Sequence, residues 1–135
     1  ILMGDRIYIY YGGENHRHDE SGTAAIGLAT LPLDRWAGLQ AGRRGLLHTR
    51  PFVFDGTALE LNAYAVGGEV WTEILDERGE VIAGYGREQS EPVMDDQLHA
   101  RLSWQDSADL RPLRGRRIAL RFHLNNATIY SFTQE

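Results

Sequence analysis

The chain has 135 residues, 42% of them apolar, and carries 14 basic against 19 acidic side chains for a net charge of −5. This suits one medium-sized folded domain with a real core, and excludes both a disordered chain and two independent domains. The mildly acidic balance, with Arg scattered in pairs such as Arg43-Arg44 and Arg116-Arg117, argues against a nucleic-acid partner; no apolar run approaches the ~20 residues of a spanning helix, so no membrane partner is expected; and the absence of Cys excludes disulfide scaffolds, thiolate zinc sites and thiol nucleophiles.

Residues Ile1 to Asp5 do not look like a natural start, and Gly4-Asp5 reads as a turn. Arg6-Ile7-Tyr8-Ile9-Tyr10-Tyr11 is rich in β-branched and aromatic residues, a strand pattern apolar on both faces and expected to be buried on both sides. It lacks the basic flank and cleavage site of a signal peptide, so any targeting segment is expected to lie upstream of Ile1 or to have been removed. Gly12-Gly13 is expected to stop this strand. A polar loop from Glu14 to Gly22 precedes a second strand, Ala24 to Leu31, ended by Pro32. The two make a β-hairpin with an unusually long tip, a common place for function. Residues 1–34 are read as this hairpin and 35–45 as a connector, with a short strand over 35–39.

From residue 46 to 135 the pattern has period two. Leu59, Leu61 and Ala63 alternate with Glu60, Asn62 and Tyr64; Val70, Thr72 and Ile74 alternate with Trp71, Glu73 and Leu75; Ile118, Leu120, Phe122 and Leu124 give the clearest alternation. Asp55-Gly56 is the favoured hairpin dipeptide, and Gly67-Gly68, Asp76 to Gly79 and Asn125-Asn126 read as further turns. Gly84 to Asp96 is irregular and polar, and Asp106 to Arg114 reads as a loop with one helical turn. About seven strands result, at the turn spacing of a sandwich, and no long segment has helical periodicity. The expected fold is therefore all-β: an antiparallel β-sandwich of the jelly-roll or concanavalin A-like kind, preceded by the hairpin. All basic charge resides on Arg and Lys is absent, which reads as the signature of a GC-rich bacterial genome.

Two stretches carry a resemblance. Gly4 through Tyr11-Gly12-Gly13, followed after a loop by Ile26-Gly27-Leu28-Ala29-Thr30, resembles the last blade of five-bladed β-propeller glycosidases, the invertase/levanase-like and arabinanase-like group. Thr49-Arg50-Pro51, Leu59 to Asn62, Leu120 to Leu124 and Ala127 to Phe132 resemble the C-terminal β-sandwich that follows such a propeller. The resemblance implies a propeller tail plus an accessory sandwich, with the N-terminal propeller part of a longer chain as its partner. The group's catalytic carboxylates lie on earlier blades, so no catalytic residue is carried over and this chain is expected not to be an enzyme. No cofactor is implied.

Candidate binding residues cluster at the hairpin tip. Tyr11 offers an aromatic face to a sugar, and Glu14, Asn15, His16, His18 and Asp19 offer hydroxyl-binding groups; the competing reading is a solvated loop beside a core strand containing Tyr8 and Tyr10. His16 and His18 have metal-ligand spacing, but no third ligand is set by it, and no metal is assigned. Glu88, Glu91, Asp95 and Asp96 could hold Ca²⁺ by their oxygens, yet read more simply as a polar surface. His99, Arg101, Arg121 and His123 would form a basic patch if their two strands were neighbours, and that patch could receive an anionic sugar. Trp71 and Trp104 read as core or inter-module contacts. Gly-x-Ser-x-Gly is absent, so a hydrolase triad has no support. The functions expected are thus an accessory sandwich, with a carbohydrate-binding module or an oligomerisation or interaction module, a homo-oligomer included, as alternatives.

Overall fold

The computed structural model describes residues 1–105 and 107–135. Its described residues are all-β, with antiparallel sheets that do not close. The chain divides after Trp36 into two compact units.

The first unit holds β1 (Leu2–Met3), β2 (Arg6–Glu14) and β3 (Ala24–Pro32). It is a three-stranded sheet, one strand more than the expected hairpin, because Gly4 adopts φ +55° and folds β1 back onto β2. β2 pairs with β3 without interruption from Arg6↔Pro32 to Glu14↔Ala24. Gly12 and Gly13 therefore do not stop the strand; they pair with Ile26 and Ala25. The expectation of burial on both faces also fails. Ile7, Tyr8 and Ile9 are half-buried, whereas Tyr10, Tyr11, Ile26 and Leu28 remain 59%, 54%, 83% and 50% exposed.

The second unit is a sandwich-like pair of sheets. One sheet runs β4 (Leu39–Ala41), β11 (Ala127–Gln134), β7 (Leu59–Tyr64), β9 (Asp96–Arg101). In the other, β10 (Arg117–Asn125) is central: β8 (Glu69–Asp76) lies along one side, and β5 (Gly45–His48) and β6 (Phe52–Val53) share the other. The segment 35–45 thus contains a sheet strand, at Leu39–Ala41 rather than over 35–39, and reaches the first residue of β5.

Period-two alternation explains the core. On β10, Ile118, Leu120, Phe122 and Leu124 point inward and are buried; on β7 and β8 the same holds for Leu59, Leu61, Val70 and Ile74. Each such side chain stabilises the fold by about 1.5–3 kcal/mol relative to exposure. Phe122 also meets Phe132 at 6.1 Å between ring centroids. Trp104 is a core residue, 3% exposed, whose indole N–H donates to the Thr72 carbonyl at 3.0 Å while Tyr85 meets its ring edge-on.

Successive strands mostly switch sheets. β6 pairs with β10 but β7 pairs with β11, so Asp55-Gly56 carries the chain from one sheet to the other and makes no hairpin. Gly67-Gly68 does the same between β7 and β8. Gly68 sits so close to the carbonyl oxygens of Asn125 and Asn126 that a Cβ there would collide with them. At the β10–β11 corner Asn126 takes φ +46°, a left-handed value that Asn tolerates. The irregular stretch after β8 has a structural task. Val81 bridges Leu75, the Ile74 N–H donates to the Tyr85 carbonyl, and Val93 bridges Val70, so this segment covers the free edge of β8. The loop expected from Asp106 begins at a residue outside the described ones; its helical turn is a 3₁₀ turn at Arg111–Leu113.

Candidate functional site

The hairpin tip is held by its own polar groups. Asn15 closes the loop: its Oδ1 accepts the Thr23 N–H at 2.9 Å, and its own N–H donates to the Thr23 carbonyl at 3.3 Å. His16 packs over Gly22, where a Cβ would strike its ring, and its Nδ1 lies 2.8 Å from the Arg17 carbonyl oxygen. Glu14 stands 3.8 Å from His16 Nε2. The structure therefore brings Glu14, Asn15 and His16 together, with Asn15 and His16 engaged in shaping the loop. His18 and Asp19 lie exposed at the turn. Tyr11 pairs with Gly27, and its ring fills the space that a side chain at Gly27 would need. Among the described residues no three His, Asp or Glu converge as metal ligands, including those of the Glu88 to Asp96 stretch.

The basic patch that depended on these two strands being neighbours does not form. β9 and β10 belong to different sheets, so His99 and Arg101 are separated from Arg121 and His123. His99 Nδ1 instead lies 3.0 Å from Glu60 Oε2.

Arg121 and His123 take part in a different constellation, on the outer face of β5, β10 and β8. Because Phe122 and Leu124 point into the core, Arg121, His123 and Asn125 point out. Register places His48 and Glu73 on either side of Arg121, Leu46 and Trp71 on either side of His123, and Glu69 beside Asn125. Arg44 immediately precedes β5 at the same end. The result is a block of polar and aromatic side chains from three adjacent strands.

Glu73 organises one end of it. Its Oε2 accepts from Arg121 Nη1 at 3.1 Å and lies 2.8 Å from His123 Nε2, while Oε1 accepts the Arg87 N–H at 3.3 Å. Arg121 Nε donates in turn to His48 Nε2 at 3.0 Å. Burial to 8% exposure pushes the Glu73 carboxyl up, but the bonds from His123, Arg121 and the Arg87 backbone outweigh it and hold the group below its ordinary value. Glu73 is consequently an ionised carboxylate at neutral pH, engaged by three polar partners. That is the opposite of the raised, proton-bearing carboxyl a glycosidase needs as its acid.

Next to it, Arg44, Glu69, Trp71, Arg87, His123 and Asn125 line a cavity of about 300 Å³. The Arg87 guanidinium lies over the Trp71 ring at 5.6 Å from its centroid, a cation–π contact. The Trp71 indole N–H is buried and has no acceptor among the described residues, a situation that costs about 1–3 kcal/mol. In the sequence Trp71 reads as a packing residue, and Arg44, Glu69, Glu73 and Arg87 do not stand out. For Glu69 and Glu73 the signal is the polar half of the β8 alternation, which becomes a site once β8 and β10 are known to be neighbours; Arg44 and Arg87 lie outside those strands and carry no such signal.

Comparison with protein-family models, curated proteins and solved structures finds no match to this chain.

Proposed function

We propose that this chain is a non-catalytic accessory β-module of a glycoside-hydrolase-like protein, in which β1–β3 form part of a larger β-assembly of propeller type and the sandwich stabilises it. One observation carries the reading: residues 37–135 have a buried apolar core of their own, even though side chains such as Leu39, Leu46 and Val53 stay outside it, whereas in the first unit no large apolar side chain is fully buried and Tyr10, Tyr11, Ile26 and Leu28 stay exposed. Two or three strands without a covered face are marginal in water, and apolar strands of this kind call for a covering partner. The motif resemblance of both stretches points to the same arrangement, with the propeller part as that partner.

The test pairs the 135-residue chain with a 37–135 truncation. The full chain is expected to bind a hydrophobic dye and to show no turnover on fructans or arabinans. The truncation is expected to bind clearly less dye and to keep one cooperative unfolding transition. Turnover by the full chain, or an unfolded truncation, contradicts the proposal. A dimeric mass for the full chain and a monomeric one for the truncation would assign the covering role to a second copy.

A second reading, a carbohydrate-binding module, is favoured by the outer face of β5, β10 and β8. There an indole, two arginines, a histidine, an asparagine and a glutamate line one cavity, the mixture of ring surface and hydrogen-bonding groups that sugar recognition uses.

A further inference from the structure

We infer that the cavity on the outer face of β5, β10 and β8 is a binding site for an acidic saccharide, a uronate residue held by its carboxylate and hydroxyls; this rests on the carbohydrate-binding reading of the sandwich. The charge of the cavity is the first reason. Arg121 and His123 are committed to Glu73, but among the described residues neither Arg44 nor the Arg87 guanidinium has a carboxylate partner. The cavity they line contains a single carboxylate, Glu69. Two unpaired guanidinium groups against one acid make a locally positive site on a chain whose net charge is −5. Arginine forks match the planar geometry of a carboxylate.

The second reason is the kind of hydrogen bonding on offer. Glu69 can only accept, Asn125 can donate and accept, and the arginines can only donate. A ligand satisfying all of them must carry an anionic acceptor and hydroxyl donors together. A bare inorganic anion leaves Glu69 opposed to negative charge, and a neutral sugar leaves the two arginines without their counter-charge. A uronate supplies both functions.

The third reason is Trp71. Its N–H is buried without an acceptor while Arg87 lies across its ring. Arg87 drawn toward a ligand carboxylate would uncover the face of the indole for the apolar side of a sugar ring. The volume of about 300 Å³ lies at the small end of ligand pockets, which fits one sugar unit with the rest of the chain in solvent.

The experiment is a calorimetric and tryptophan-fluorescence titration of the 135-residue chain with oligogalacturonate, with the corresponding neutral galacto-oligosaccharide, and with sulfate. Oligogalacturonate is expected to bind saturably and to change the fluorescence, with the change lost in Trp71→Phe. Arg44→Ala and Arg87→Ala are each expected to weaken binding about tenfold, and the double variant to abolish it. Arg114→Ala, at an exposed ion pair with Asp55, should bind as the parent does. Thermal unfolding of each variant reports that the fold is retained. Equal binding of the neutral oligosaccharide overturns the uronate assignment and leaves the carbohydrate reading standing. Absence of binding by either sugar overturns both. Sulfate binding as tightly as oligogalacturonate, or arginine variants that fold and bind normally, overturns the site.

Discussion

The two units of this chain use the same strand vocabulary with opposite outcomes. On β10 every second residue is apolar, and Ile118, Leu120, Phe122 and Leu124 are all buried, at 0%, 0%, 0% and 5% exposure. On β2 and β3 apolar residues occupy both faces, yet Tyr10, Tyr11, Ile26 and Leu28 are exposed. Backbone pairing does not distinguish them, since β2 and β3 pair over their full nine-residue lengths. What differs is the presence of a second layer. A sheet gains most of its stability from the face it buries, and within the described residues the sandwich supplies that second layer for itself.

Substitutions that probe the two units should therefore differ sharply. The largest effect is expected at Phe122, fully buried and central in its sheet: Phe122→Ala should destabilise the sandwich by about 3–5 kcal/mol in chemical denaturation. A loss below about 1 kcal/mol would mean that the two sheets do not pack as described.

An intermediate effect is expected at Glu73. Glu73→Gln keeps the shape and removes the charge facing Arg121 and His123, whose side chains are partly exposed. The expected cost is about 1–3 kcal/mol, below that of a fully buried pair because solvent screens the partners. The pH dependence follows from the lowered folded-state value of this carboxyl. Its stabilisation is fully present above the ordinary value of 4.5 and is lost as pH falls through the lowered one. Denaturation midpoints measured from neutral pH downward should fall less steeply in Glu73→Gln than in the parent. Parallel curves would remove Glu73 from its organising role.

The smallest effect is expected in the first unit. Ile26 is 83% exposed, so Ile26→Ala in this chain should change stability by no more than about 0.5 kcal/mol. The same substitution should reduce dye binding, because it removes exposed apolar surface. A large destabilisation would show that Ile26 is covered in solution and would erase the contrast between the units.

The residue pattern makes the faces of strands legible and leaves their partners obscure. Alternation on β7, β8 and β10 separates buried from outward side chains, because side chains alternate across a pleated strand whatever its neighbour. Pairing is a different matter. β10 lies beside β5, β6 and β8, all distant in sequence, and turn chemistry at Asp55-Gly56 and Gly67-Gly68 looks the same whether the chain returns to its own sheet or crosses to the other. Hence alternation alone groups Arg121 and His123 with His99 and Arg101, whereas the register joins them to Glu73, Trp71 and His48. The double-sided burial expected of β2 fails for a related reason: an apolar face states that a cover is needed, not that this chain supplies one. The tip residues from Glu14 to Asp19 are recognisable as a polar cluster, but the use of Asn15 and His16 in closing the loop depends on Thr23 and Gly22 across the turn.

Amide hydrogen exchange of the 135-residue chain, read by mass spectrometry, tests the central contrast most directly, because protection reports the free energy of local opening. Amides of β7, β8 and β10 are predicted to exchange only through global unfolding, orders of magnitude more slowly than those of β2 and β3, which open on their own. Equal protection across β2, β3 and β10 would contradict the account, since it would require the first unit to be covered as completely as the sandwich.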